Sequence, residues 1–462
     1  MTDALRYRRL ARRAPFGVVA LLSLAALAGG AYAEEIGSAH GFSIDLPEGM
    51  ALLSSDGKDR FSFGPPDGLF QLDIIVYDAA RYADAGSMAQ DVMRRLSALG
   101  STRRFVYAGM DAALSELRFG SGTGATRGYA VFLNGTPRQA PTPAPGSAGA
   151  AGAAGTAQSA QPAYDLALLA YAPSSSYARA KDLMLSTLDG FSAGPAYRAA
   201  PGPVGTAARA GLGAERPAQA QIRFGQTSVS VTWLPAEGLI AQEIVEREYR
   251  VLTPYGARPE LVTEAMRRFY RMVWRDGAPS LDRLGLELAR AWENGSWAGI
   301  ERPANFVDEV PTDEAAAQAP PPLQGRAPDS DAAAPRFGAP ASSRDYAAAL
   351  LAWVQSWRYE RDPSGSDVVN PLSAAMEGRG DCDSRVLVML TLLRRENIPG
   401  ILLVSLKHQH ALAGLELPGP GARFPYKQKQ WLVAETTAPV GIGLIDQAQS
   451  AIADWFAVEF AP

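Results

Sequence analysis

Apolar and polar residues alternate in seven short stretches between residues 34 and 195, and two further stretches have helical spacing instead. Alternation predicts half-buried strands, whereas a period near 3.6 predicts amphipathic helices. The helical stretches lie near 87–99, where Met88 and Val92 share one face, and near 176–190. The strand-like stretches are FSIDLP, RFSFGPP, LFQLDIIVYDA, RRFVYAG, ALSELRFG, GYAVFLNG and YDLALLAYAP. This order predicts an α+β domain in which an antiparallel sheet carries helices on one face.

The remainder of the chain combines longer helical patterns with fewer strands. A strand, SVSVTWLP, opens the region 221–303, and three strands, ILLVSL, HALAGLEL and QWLVAETT, follow the last helical pattern. Apolar residues at helical spacing predict helices near 257–276, near 279–293, from Ser343, and from Cys382 to about Glu396. We therefore expect a second α+β unit, 343–462, against which the region 221–303 packs.

Three stretches rich in Ala, Pro and Gly divide the chain, and they contain few residues that could form a core. The first, 140–162, has strand-like sequence on both sides, so we expect a low-complexity insertion within a domain. The second, 196–220, is predicted to be a linker, and the third, 304–342, a disordered insertion. This division predicts an N-terminal domain at 34–195, a strand-plus-helices segment at 221–303 and a C-terminal core at 343–462.

The first 33 residues have the order of a secretory signal peptide. Five arginines precede the apolar run FGVVALLSLAALAGG and then Ala31-Tyr32-Ala33. We expect cleavage after Ala33 and a periplasmic or secreted protein without an integral membrane span, although an uncleaved segment kept as an anchor stays an alternative. Loss of residues 1–33 removes the five arginines and one aspartate and moves the formal charge from −4 to −8. Such an acidic chain is not expected to bind nucleic acid.

Cys382 is the only cysteine of the chain, so it cannot form an intramolecular disulfide. It begins an apolar stripe that continues through Val386 and Leu393, which directs the sulfur toward the core at the N-terminus of the predicted helix. A helix N-terminus favours the thiolate, the nucleophilic form of cysteine. Asp381 and Asp383 oppose it by like-charge repulsion, so a nearby imidazolium would be needed to hold the thiolate.

Two of the three histidines follow within about thirty residues of this cysteine. His410 opens a predicted strand and is the preferred base, whereas His408 lies in the preceding turn and is a rival. Glu435 lies at the end of the next strand, where its carboxylate can accept the second imidazole N–H. This is the arrangement of a Cys–His–acid triad.

At this point the chain resembles the bacterial transglutaminase-like cysteine peptidase group, part of the papain-like superfamily. The matching features are the helix with WVQ, the GDC before the nucleophilic helix, the helix end LLRRENIPG, the His-Ala pair and WLVAETT, over about 120 residues. The resemblance implies a papain-like C-terminal domain with Cys382 as nucleophile, His410 as base, Glu435 as orienting acid and Gln355 as an oxyanion donor. Glutamate as the acid departs from the aspartate that is commoner in the superfamily.

These features predict an exported thiol-dependent acyl-transfer enzyme, a cysteine peptidase, amidase or transglutaminase, that acts on a protein or peptide through a thioester. Hydrolysis and cross-linking stay open. The alternative is a catalytically inactive binding or scaffold protein of the cell envelope. The N-terminal domain, whose GFSIDLPEGM and closing helix weakly resemble PsbP-like domains, would then dock an envelope protein partner. We expect no cofactor and no metal, because two histidines and one cysteine lack a fourth ligand and a usual zinc spacing.

Overall fold

The computed structural model describes residues 35–38, 40–79, 81–135, 164–212, 215–297, 340–361 and 365–461. The predicted signal peptide, the insertion 140–162 and nearly all of the insertion 304–342 lie outside the described residues. The described chain has mixed α and β structure with several antiparallel sheets. Within it, no helix is both long enough and apolar enough to cross a bilayer.

The N-terminal part is built on two antiparallel sheets. Its strands are β1 (Glu35–Gly37), β2 (Ser43–Asp45), β3 (Ala51–Ser55), β4 (Arg60–Gly64), β5 (Gln71–Asp78), β6 (Thr102–Tyr107), β7 (Met110–Phe119), β8 (Thr126–Asn134), β9 (Tyr164–Pro173) and β10 (Phe191–Ser192). Seven of them form a sheet with the order β3-β4-β5-β9-β8-β7-β6, and β1, β2 and β10 form a small second sheet. The helices of the N-terminal part are α1 (Ala85–Leu96), α2 (Tyr177–Asp189) and α3 (Pro203–Arg209).

Helices cover both faces of the seven-stranded sheet, so the prediction of helices on one face was wrong. Successive residues of a strand point to opposite faces. On β8, Val131 and Leu133 belong to the core that includes α2, whereas Ala130 and Phe132 belong to the core that includes α1. All four side chains are fully buried. The cause lies in the central strands, which are apolar at consecutive positions and therefore need cover on both sides.

The region 196–220, predicted as a linker, contains helix α3 and the start of a strand. The Asp189 carboxylate accepts hydrogen bonds from the backbone N–H groups of Val204 (2.7 Å) and Gly205 (2.9 Å), which fixes the first turn of α3. The small residues that suggest a connector instead allow close packing, since Ala207 is fully buried in the N-terminal core.

The central region and the C-terminal part share one apolar core, which includes Phe224, Val273 and Leu284 together with Leu350 and Val386. The central elements are β11 (Ala218–Phe224), β12 (Thr227–Trp233), α4 (Pro235–Leu252), α5 (Pro259–Gly277) and α6 (Asp282–Glu293). The helices of the C-terminal part are α7 (Pro340–Gln355), α8 (Pro371–Glu377) and α9 (Cys382–Arg395). Its strands are β13 (Arg358–Tyr359), β14 (Arg379–Gly380), β15 (Gly400–Ser405), β16 (His410–Leu415), β17 (Arg423–Tyr426), β18 (Lys429–Ala434) and β19 (Phe456–Val458).

Strands β15 to β19 form an antiparallel sheet with the order β17-β18-β16-β15-β19, and β13 pairs with β14 in parallel.

Helix α4 has no counterpart in the sequence prediction. Its buried face carries Arg247 and Glu248 beside Ala241 and Val245, so charged residues interrupt the apolar stripe. The Arg247 guanidinium pairs with both Glu248 and Asp189, which explains how these charges tolerate burial.

A buried polar network joins the N-terminal part to α4 and α5. The guanidinium of Arg268 donates to the hydroxyl and the carbonyl of Ser186 (2.8 and 3.0 Å) and lies 3.4 Å from the Glu248 carboxylate. The Ser186 hydroxyl donates to the same carboxylate at 2.6 Å. Because Arg268 is only 2% exposed, these contacts fix the orientation of the N-terminal part on the helix that also reaches the candidate site.

Candidate functional site

Helix α9 begins at the cysteine because Asp381 caps it. One oxygen of Asp381, Oδ1, accepts hydrogen bonds from the backbone N–H (2.9 Å) and the hydroxyl (2.5 Å) of Ser384. Before the cap, Gly380 has a φ of +149°, and a Cβ there would lie 2.7 Å from the Ser384 side chain. Only glycine fits this approach, and it places Cys382 in the first turn of the helix, where the side chain is 3% exposed.

Burial, followed by the charges of Asp383 and Asp381, raises the pKa of the Cys382 thiol. Hydrogen bonds from the backbone N–H groups of Ala411 and Asp383 to the sulfur act in the opposite direction and are weaker. The sequence places Cys382 at a helix N-terminus, a position that favours the thiolate. In the structure this position does not by itself generate a thiolate, because the pKa of the thiol is raised. The N–H of Ala411 also shows that the sulfur lies against the first residues of β16.

His410 begins β16, and its Nε2 lies 2.6 Å from Oε2 of Glu435, one residue beyond the paired strand β18. The other oxygen of Glu435 accepts hydrogen bonds from the backbone N–H (2.7 Å) and the hydroxyl (2.6 Å) of Thr437. Burial alone would raise the pKa of Glu435, but His410 and then Thr437 outweigh burial and lower it. A carboxylate whose pKa is lowered thus holds the imidazole through Nε2.

The second histidine has a carboxylate partner of its own. His408 Nε2 lies 3.1 Å from Oδ2 of Asp454, an oxygen that also accepts a hydrogen bond from the Lys407 ammonium at 2.8 Å. The His408 ring stacks on Trp455, whose indole meets His410 edge to face with 6.2 Å between ring centroids. His408 therefore has its own carboxylate partner, Asp454, and contacts the same indole as His410.

Gln355 does not have the geometry of an oxyanion donor. Its Nε2 donates both amide hydrogens to backbone carbonyls, those of Glu435 (2.7 Å) and Val440 (2.9 Å). Since an amide nitrogen has two hydrogens, none is left for a substrate oxygen. In this structure Gln355 instead holds the loop that follows the orienting carboxylate, which is a correction to the role that the resemblance implies.

Arg385 is a site residue that the sequence analysis does not identify. It is 2% exposed, and its guanidinium donates to three backbone carbonyls, those of Trp357 (2.7 Å), Thr436 (3.1 Å) and Gly380 (3.2 Å). One side chain thereby joins the segments that precede Cys382, follow Glu435 and follow α7. Its position in the sequence could have identified it. A residue three positions after Cys382 lies on the core-facing side of the helix, so a charged residue there needs buried hydrogen-bond partners.

Tyr270 of α5 reaches the same site from the central region. Its hydroxyl donates to Oδ1 of Asp383 at 2.9 Å. Burial, and then the charge of Asp381, raises the pKa of Asp383. One oxygen from each of Asp381 and Asp383 and the Cys382 sulfur lie within 4.8 Å of one another, a grouping that could contact a metal ion. It offers three potential ligands, a number that does not by itself specify an ion.

No protein-family model matches the chain, and a search among curated proteins finds no match. Among solved structures, a cyanobacterial PsbP (CyanoP) from Synechocystis sp. PCC 6803 is 11% identical, with a TM-score of 0.27, over 36% of this chain and 95% of that one. A protein from Bacteroides thetaiotaomicron VPI-5482 is 12% identical, with a TM-score of 0.20, over 52% of this chain and 75% of that one. The comparisons thus support a weak structural resemblance to a PsbP-like domain and carry no argument about function. The transglutaminase-like resemblance stays a prediction.

Proposed function

We propose that this protein is an exported thiol-dependent acyl-transfer enzyme whose C-terminal part is a papain-like, transglutaminase-like domain. The observation that carries the proposal is the 2.6 Å contact between His410 Nε2 and Glu435 Oε2. The next residue of the same strand, Ala411, donates its backbone N–H to the Cys382 sulfur. A carboxylate that fixes an imidazole beside a thiol is the geometry in which a histidine can accept the proton of a nucleophile.

In the proposed reaction, the Nδ1 atom of His410 takes the Cys382 proton as the sulfur attacks an amide carbonyl carbon. The carbonyl π electrons move to oxygen, and the tetrahedral intermediate collapses to a thioester as the imidazolium returns the proton to the leaving amine. The backbone N–H of Cys382, in the first turn of α9, can stabilise the oxyanion. Attack by water then gives hydrolysis, whereas attack by a second amine gives a cross-link.

Burial of the thiol determines the resting state of this site. Because the pKa of Cys382 is raised, we expect a neutral thiol at rest, with its ionisation coupled to substrate entry. Glu435 then stabilises the imidazolium that forms as the proton arrives. This differs from a preformed thiolate–imidazolium pair, which would alkylate rapidly well below neutral pH.

The test is the rate of iodoacetamide alkylation of Cys382 against pH, followed by intact mass. His410→Ala is compared with wild type, and His408→Ala is the matched control, since it removes a histidine of similar burial that has its own carboxylate partner. We expect His410→Ala to slow alkylation about tenfold or more and His408→Ala to have little effect. Equal rates in all three folded proteins would contradict the proposed pair.

Turnover is tested separately with a mixture of peptides and a fluorescent primary amine. New peptide termini indicate hydrolysis, and incorporation of the amine indicates transfer. Folded Cys382→Ala protein, verified by circular dichroism, should show neither. Activity that survives in folded Cys382→Ala protein would end the proposal, because the thioester cannot form without the sulfur.

A second candidate function is a binding or scaffold protein of the cell envelope with an inactive site. The observation that favours it is the burial of Cys382, at 3% exposure, between two carboxylates that raise the pKa of its thiol. This alternative predicts that peptides bind without turnover and that Cys382→Ala leaves their affinity unchanged. Isothermal titration of peptides against wild type and Cys382→Ala separates the two functions.

A further inference from the structure

The short strand β13 places Tyr359 beside the segment that leads into Cys382. Tyr359 pairs with Gly380 in the parallel ladder of β13 and β14, and the N–H of Glu360 donates to the Gly380 carbonyl at 3.4 Å. Gly380 precedes Cys382 by two residues, so this ladder fixes the backbone of Tyr359 relative to the first turn of α9. The Tyr359 side chain is 49% exposed and therefore borders the solvent.

A contact with Arg385 fixes the position of the Tyr359 ring. The Arg385 guanidinium lies over the ring, with 5.4 Å between Cζ and the ring centroid. Arg385 follows Cys382 by three residues, so the two side chains lie on the same face of α9. Because Arg385 is buried and Tyr359 is half-exposed, the ring covers this face of the helix on its solvent side. A substrate that reaches the sulfur from solvent would therefore pass close to Tyr359.

The Tyr359 hydroxyl lies within electrostatic range of the candidate nucleophile. Burial, and then the negative charge of a Cys382 thiolate, raises the pKa of Tyr359, while the Arg361 guanidinium opposes them. The hydroxyl is therefore protonated at neutral pH and can donate a hydrogen bond. It donates none to any group of the described chain, so its hydrogen is available to a substrate oxygen.

The proposed reaction lacks a side-chain donor for the oxyanion. The backbone N–H of Cys382 supplies one hydrogen bond, but the amide of Gln355 is occupied by the carbonyls of Glu435 and Val440. Backbone N–H groups and polar side chains, tyrosine among them, together form the oxyanion sites of acyl-transfer enzymes. In position and in chemistry, the free hydroxyl of Tyr359 meets this requirement.

We propose that Tyr359 is a catalytic residue whose hydroxyl stabilises the oxyanion together with the backbone N–H of Cys382. As the sulfur attacks the carbonyl carbon, the π electrons move to oxygen, and the Tyr359 O–H donates a hydrogen bond to that oxygen while it keeps its proton. Such a bond is stronger to an anionic oxygen than to a neutral carbonyl, so it favours the transition state over the bound substrate. The inference rests on the proposed acyl-transfer function and assigns to Tyr359 the role that Gln355 cannot perform.

Two thiol reagents separate this role from a merely structural one. A peptide aldehyde adds to the sulfur and forms a tetrahedral adduct whose oxygen occupies the oxyanion position. Iodoacetamide loses iodide from a saturated carbon and forms no oxyanion. The test therefore measures how well a mixture of acetylated dipeptide aldehydes protects Cys382 from alkylation by iodoacetamide, followed by intact mass.

Tyr359→Phe is the informative variant, because it removes the hydroxyl and keeps the ring that contacts Arg385. We expect the aldehydes to protect Tyr359→Phe about tenfold or more weakly than wild type, whereas alkylation without aldehyde proceeds at the wild-type rate. Tyr249→Phe is the matched control, since Tyr249 of α4 is 38% exposed, and it should equal wild type in both measurements.

The possible results distinguish this inference from the function on which it rests. Equal protection of wild type and Tyr359→Phe would overturn the role of Tyr359 and leave acyl transfer in place. Slower alkylation of Tyr359→Phe without aldehyde would show that the hydroxyl acts on the thiol itself, which also overturns the oxyanion role. If no aldehyde protects the wild-type thiol, the sulfur does not add to carbonyl groups, and the proposed function fails together with this inference.

Discussion

Replacement of Arg385 by methionine tests how the candidate site is held together. The guanidinium is buried and donates to the carbonyls of Trp357, Thr436 and Gly380, at distances between 2.7 and 3.2 Å. Methionine has a similar length and fills the same space, but it has no donor. The substitution therefore leaves the packing largely in place and removes the hydrogen bonds from three segments at once.

The structure gives the expected magnitude. A buried carbonyl that loses its donor costs about 1–3 kcal/mol, so three of them cost roughly 3–9 kcal/mol. The variant recovers part of this because it no longer buries a charge, and burial is the main reason that the pKa of Arg385 is lowered. We expect a net loss of about 2–5 kcal/mol in the free energy of unfolding of the C-terminal part.

Urea unfolding followed by tryptophan fluorescence measures this loss, since Trp353 and Trp357 lie in the same core. Arg358→Met is the control, because that side chain is 72% exposed and hydrogen-bonds only Glu360 in the described chain, so we expect a change below about 0.5 kcal/mol. If Arg385→Met is as stable as Arg358→Met, the three carbonyls do not depend on the guanidinium, and the account of the site is wrong.

Three further changes test separate contacts. Glu435→Gln removes the charge that faces His410, and we expect alkylation of Cys382 at neutral pH, measured by mass, to slow about tenfold; an unchanged rate would exclude the orienting role. Gln355→Leu removes two hydrogen bonds to carbonyls and should cost about 1–3 kcal/mol in urea unfolding, whereas loss of turnover with full stability would restore the oxyanion role. Burial raises the pKa of Glu48 to about 7 in the folded protein, above its unfolded value, so the protonated form favours folding and stability falls as pH rises from about 4.5 to 7. Glu48→Gln should flatten that fall, by about 3 kcal/mol at most, in thermal unfolding at several pH values; an identical pH profile would refute the assignment.

Local signals made the helix that begins at Cys382 predictable from the sequence. Asp381 is a good cap, Asn397 and Pro399 stop the helix, and the observed helix Cys382–Arg395 ends within one residue of the prediction. The contact between His410 and Glu435 follows from strand order, since both lie at ends of neighbouring antiparallel strands. These features depend on residues close in sequence or on a simple sheet register, which is why periodicity and turn residues are sufficient.

Other features depend on contacts that no local pattern encodes. Helix α4 escapes the periodicity argument because Arg247 and Glu248 are buried and paired with each other. The amide of Gln355 turns to carbonyls about eighty residues away, and nothing in its own helix indicates that direction. Tyr270 reaches Asp383 from a different region of the chain. In each case a polar group contacts a partner that its own local sequence pattern does not identify.

The same contacts suggest how the candidate site would pass from rest to reaction. The charges next to Cys382 oppose its ionisation, whereas the Glu435 carboxylate contacts Nε2 of His410. In the proposed reaction, proton transfer from sulfur to imidazole would therefore leave a thiolate beside the carboxyl groups of Asp381 and Asp383, and we expect substrate binding to offset this cost. Protonation of Asp383, whose pKa burial and Asp381 raise, lowers that cost. Reactivity of the thiol should thus depend on the carboxyls beside it as well as on the histidine.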